Sequence, residues 1–134
     1  MKKLPDTVAL VSLDSTGEVT KTRWVGTFKI KRILTHADRF ALERVYASLL
    51  PSRDREVSEE LRLKAAAIAE LYVRVVEGPA WWDSTKGGQL LADSQPLYDL
   101  IFLCNEEEKK WSDQLEATAN TEESNAVSDI QKST

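Results

Sequence analysis

The side chains best suited to chemistry are few and scattered. The chain of 134 residues holds one histidine, His36, and one cysteine, Cys104, 68 positions apart. A metal centre needs several clustered nitrogen, sulfur or oxygen ligands, and no such grouping stands in the sequence. His36 falls in the first turn of a predicted helix, which fits a solvent-facing or capping role. Cys104 lies on an apolar helical stripe, which fits a buried, inert thiol. No local signature recommends the two as a nucleophile and base. Asp83, Asp93 and Asp99 lie near aromatic residues, the setting of paired carboxylates in glycoside hydrolysis. Turn and helix-cap positions already account for two of them. Lys86-Gly87-Gly88 lacks the glycine spacing and the following hydroxyl of a phosphate loop, and no dinucleotide fingerprint occurs. The sequence therefore predicts no enzyme: no catalytic residue, no metal ligand and no cofactor.

Binding chemistry has a better claim. Lys21, Arg23, Lys29, Lys31 and Arg32 accompany Trp24 and Phe28 in one short segment, a composition that can grip a single nucleic-acid strand. The alternation argues against it. Trp24, Phe28 and Ile30 share one parity and Arg23, Lys29 and Lys31 the other, so stacking and phosphate contacts would fall on opposite faces of a strand. Charge points the same way. Residues 1–64 carry 13 Lys or Arg against 9 Asp or Glu, and residues 65–134 carry 5 against 13. A net charge of −4 disfavours general nucleic-acid binding, while halves of opposite sign permit copies to associate.

The elements around these residues predict an α+β, mostly helical fold. Residues 8–13 read as a strand, 14–17 as a turn and 18–34 as a second strand region with Gly26 marking a bulge or a close backbone approach. This N-terminal β-hairpin must pack on something to persist in water. Thr35 and Asp38 form a capping box for a first helix whose face is Phe40, Leu42, Val45, Tyr46 and Leu49. Pro51 stops it, and a polar connection follows. A second helix over 58–77 repeats Leu61, Ala65, Ile68, Tyr72 and Val75, with further apolar residues implying neighbours on more than one side. Gly78 and Pro79 end it. Asp93 or Ser94 caps a third helix with Pro96 in its first turn and Leu97, Ile101, Cys104, Trp111 and Leu115 on one face. The hairpin on a three-helix core makes one domain, 1–117. Residues 118–134 read as a disordered acidic tail. No apolar run spans a membrane and the N-terminus lacks a signal peptide's apolar segment, so a cytoplasmic, non-membrane protein is expected.

Trp81 and Trp82 sit at the junction of helices two and three. They can fill the crevice between those helices, or one can point outward and anchor a partner.

Three stretches together, "WVGTFKIKRILT", "AIAELYVRVVEGPAWW" and "GGQLLADSQPLYDLIFLCNEEEKKW", resemble the small tail assembly chaperones of long-tailed bacteriophages over residues 23–111. That resemblance implies a non-enzymatic, self-associating protein of the host cell cytoplasm. It would bind the helical tape measure protein before the tail tube polymerises, with a frameshifted longer form recruiting the tail tube protein. Trp81 and Trp82, with Tyr98 and Phe102 on helix three, become the candidate protein-binding residues. Two other functions are weighed against it: a structural virion component (tail, connector or baseplate protein) and a nucleic-acid-binding regulator.

Overall fold

The computed structural model describes the backbone of residues 4–51 and 56–132, and side chains as far as residue 119. It is α+β and mostly helical, with the predicted N-terminal antiparallel hairpin packed on helices. Strand β1 (Val8–Thr16) pairs with β2 (Arg23–Lys31) in a regular register from Val8↔Lys31 to Thr16↔Arg23. The period-two pattern sorts these strands as expected. Val11, Leu13, Phe28 and Ile30 are buried, while Leu10, Asp14, Arg23 and Val25 face outward. Arg32 has the inward parity and is buried with them. Its guanidinium donates to the carbonyls of Asp6 and Glu107 and to the Gln114 side chain. Gly26 lies in the regular ladder, and the predicted bulge is absent from this position. The predicted close approach is present: a Cβ there would stand 2.5 Å from Pro79 Cγ.

Helix α1 (His36–Leu49) begins at the predicted capping box. The Thr35 hydroxyl accepts from the Asp38 amide, the Asp38 carboxylate accepts from the Thr35 amide, and that carboxylate also pairs with Lys31 at 2.7 Å. Helix α2 (Glu59–Arg74) starts at Ser58, whose hydroxyl accepts from the Leu61 amide. Part of the polar connection before it lies outside the described residues.

The predicted extent of helix two to residue 77 is corrected. Val75–Glu77 forms a third strand, β3, antiparallel to β2 on the side away from β1, with a register shift between Lys29 and Ile30. Val75 and Val76 are stiff, β-branched residues that favour a pleated surface, and β2 has an edge free to receive them. Gly78 thus follows a strand instead of capping a helix. The two tryptophans, read from sequence as a loop, lie on a short helix α3 (Ala80–Ser84) entered through Pro79.

Helix α4 starts at Gln95, with Pro96 buried in its first turn, and its backbone is helical to Lys132. The predicted tail, 118–134, lies from residue 120 onward beyond the described side chains. Helix α4 packs on β1 and on α2, and α1 packs on α2 from another side. The core lies between the sheet and the α2–α4 pair: Val11, Leu13, Phe28, Ile30, Leu71, Trp82, Leu97, Leu100 and Cys104. Helix α2 is central, as its broad apolar surface predicts. Helix α1 contributes no buried residue, and Phe40, expected on its packed face, is 66% exposed.

Candidate functional site

Two regions around α2 and α4 contain all four predicted binding residues, and they differ in kind. The first is the tryptophan junction. Trp82 is 6% exposed and meets Phe28 edge-on at 5.4 Å between ring centres. Trp81 is half-buried over Trp24 at 4.9 Å and Phe28 at 5.7 Å, and its indole N–H donates to the Val25 carbonyl at 2.9 Å. Trp82 therefore fills the core. Trp81 covers one side of the cluster and spends its polar atom within the chain, the expected arrangement for indoles at a core boundary.

Beside the tryptophans the hairpin turn and the start of α4 hold each other. Asp93 was expected as a candidate helix cap. Instead its carboxylate is buried and accepts from the Val19 and Thr20 amides, the Thr20 hydroxyl and the Trp24 indole N–H, the last at 2.9 Å. Burial pushes this carboxyl up, but the bonds from Thr20, Trp24 and Val19 outweigh it and hold the group well below the usual carboxylate range. Glu18, on the hairpin turn, answers by accepting from the Ser94 and Gln95 amides, two of the orphan donors at the start of α4. Ser94 contributes its carbonyl, which receives the Leu97 and Tyr98 amides. Gly17 makes room for this exchange: a Cβ there would fall 2.0 Å from the Asp93 carboxylate. Below the turn, the Ser15 hydroxyl donates to Asp99 at 2.6 Å. Asp93 and Asp99 are thus taken up in structural bonds, and exposed Asp83 does not join them.

The second region is open. Helices α2 and α4 run parallel. Arg74 pairs with Glu108 at 3.3 Å, and Lys64 lies within electrostatic reach of Tyr98, so both pairs are offset by 34 positions. Leu61, Ala65 and Ile68, from the stripe predicted for helix two, form the floor of a cleft of about 220 Å³. Leu49 of α1 lines it on one side, and Leu91 and Leu97 on the other. The stripe was expected to be core, yet Leu61 is 51% and Tyr72 62% exposed, while only Ala65 is buried. On α4, Tyr98 is 39% and Phe102 62% exposed. Their spacing of four places them on one helical face. Leu61 and Tyr72 are the residues sequence reasoning missed as surface. The sequence carried no signal for this: the apolar spacing of α1 predicted a packed face, and in the structure α1 buries none of its residues and leaves α2 partly uncovered.

No group of three or more His, Cys, Asp or Glu side chains among the described residues is placed to hold a metal ion. His36 is exposed. Cys104 is fully buried, and burial pushes its thiol up to about 12, against which nearby Arg74 pulls only partly. Of the five basic residues in the hairpin segment, Arg32 is buried, Arg23 pairs with Asp14 and Lys31 with Asp38. Lys21 donates to the Glu18 carbonyl. No helix among the described residues is long and apolar enough to cross a membrane. No protein-family model matches the chain, and neither a curated protein nor a solved structure matches it.

Proposed function

We propose that this protein is a non-enzymatic assembly factor, a phage tail assembly chaperone that binds the helical tape measure protein in the host cytoplasm during tail morphogenesis. The observation that carries the reading is the apolar surface of the neighbouring helices α2 and α4: a cleft lined by Leu61, Ala65 and Ile68, with Tyr72 exposed on α2 and Tyr98 and Phe102 exposed on α4. An amphipathic client helix presents apolar side chains at spacings of three and four, and a groove between helices receives them. Buried Trp82 serves this surface by holding α3 and the turn to Leu97 in place. Direct contact falls to Tyr98 and Phe102, joined by Leu61 and Tyr72, with half-buried Trp81 at the margin.

The test is co-expression with a tape-measure fragment that aggregates alone. Wild-type protein should keep the fragment soluble, and Leu61→Asp with Phe102→Asp should lose that effect while remaining folded. A fragment that aggregates equally with wild type and with the double variant sinks the reading. The exposed β1 edge favours a second reading, a structural virion component. Mass spectrometry of purified particles separates the two, since a chaperone is absent from them.

A further inference from the structure

The β1–β2 ladder determines which backbone groups of β1 have partners. At its ends the Arg32 amide donates to the Thr7 carbonyl and the Gly17 amide to the Thr22 carbonyl. Odd-numbered residues of β1 therefore occupy the hydrogen-bonded pairs with β2. The amides and carbonyls of Val8, Leu10, Ser12, Asp14 and Thr16 point the other way, along an edge that no strand covers among the described residues. Such edges are normally blunted by lysine, proline, a bulge or shortness. Strand β1 is nine residues long with no Pro, no Lys and a regular register. Its one charge, Asp14, is neutralised by Arg23 Nε at 2.8 Å. Leu10, on the same face of the strand, is 70% exposed.

From this edge we infer that a second copy of the chain docks on β1, antiparallel, joining two three-stranded sheets into one of six strands. A two-fold axis at Ser12 engages all nine residues of each strand and forms roughly ten new inter-strand hydrogen bonds. It places Val8 against the partner's Thr16 and Leu10 against the partner's Asp14. Each Leu10 then shields an Asp14–Arg23 pair from water. Charge selects self over an arbitrary strand: every copy brings Asp14 with its own counter-ion, so the approach adds no uncompensated carboxylate. The outer sheet faces merge, bringing Val8 and Leu10 of both copies onto one surface. This pairing leaves the α2 cleft unused and is independent of the client proposed for it.

The test is the molar mass of the full chain over a dilution series, by sedimentation equilibrium. Wild type should pass from monomer to dimer with concentration. Ser12→Pro removes an outward amide and leaves the β2 ladder whole, so it should be monomeric with an unchanged circular dichroism spectrum. Leu10→Asp, which sets a second carboxylate directly opposite the partner's Asp14, should weaken dimerisation by about tenfold or more. If Ser12→Pro does not fold, Leu10→Asp and amide hydrogen exchange decide. The Leu10, Ser12, Asp14 and Thr16 amides should exchange more slowly in concentrated than in dilute wild-type protein. A wild-type chain that stays monomeric at every concentration overturns the inference. So does a dimer that Leu10→Asp leaves intact while those amides exchange at one rate throughout.

Discussion

The tryptophan junction and the α2 cleft share Leu97, and both are built largely from apolar residues. At the junction two indole N–H groups have acceptors within the chain, Asp93 for Trp24 and the Val25 carbonyl for Trp81, while Trp82 is closed in by Phe28 and Trp81. At the cleft the apolar stripe continues past its cover, because α1 packs on α2 without burying any of its own residues. The contrast shows that aromatic residues at a junction are poor evidence for a partner until their surroundings are known. Bulk and rigidity suit Trp82 to a core, while Phe102, equally apolar, is left mostly in solvent.

Four measurements would break or sharpen this contrast. The largest effect is expected for Trp82→Ala, which removes a buried aromatic at the meeting point of β2, α3 and α4. A loss of about 3–5 kcal/mol in urea unfolding is expected, and an unchanged midpoint would remove Trp82 from the core. Next comes Asp93→Asn, which weakens the clasp between the hairpin turn and α4. Because the Asp93 carboxyl is held low in the folded chain, its contribution is complete above the ordinary Asp value of about 3.9. It fades as pH falls below that toward the folded value. Wild type should therefore lose stability over that acid range, and the slope should flatten in Asp93→Asn. Equal slopes would mean other carboxylates dominate.

Cys104 should give a smaller effect with the opposite sign. Its thiol is raised to about 12 by burial. Its contribution to stability is thus complete below the free-thiol value of about 8.5 and declines as pH rises toward the folded value. Urea midpoints between neutral and alkaline pH should drop more in wild type than in Cys104→Ala, and a disulfide reagent should label the thiol only after unfolding. Rapid labelling of the native chain would contradict its burial. The smallest effect on stability belongs to Phe102→Ser, expected within about 0.5 kcal/mol because the ring is mostly in water. A large destabilisation there would mean the cleft side of α4 is packed after all.

Much of the site was legible from local pattern. Tyr98 and Phe102, candidates implied by the resemblance, lie offset from the Leu97–Ile101–Cys104 stripe, and the structure leaves both exposed. Trp81 and Trp82 were legible as a pair but not as inward-facing, since neighbours one position apart can turn either way. Leu61 and Tyr72 were read as one stripe of a helix with neighbours on more than one side, because period alone says which residues share a face. It does not say whether another element reaches that face. Asp93 was legible as a cap, and it does accept backbone amides, but from the hairpin turn more than 70 positions away.

The sequence by itself determined the features that depend on neighbours within a few residues. The alternation sorting β1 and β2, the Thr35–Asp38 box and the stop before Pro51 all rest on short-range sterics and hydrogen bonds that any fold must obey. The tertiary structure alone decided what competes across long separations. It turned Val75–Glu77 from helix to strand because β2 had an edge to fill, and it exchanged Glu18 and Asp93 between two chain segments. It also sealed Trp82 while leaving Phe102 in solvent. Burial depends on which surfaces meet, and that is set by the packing of whole elements.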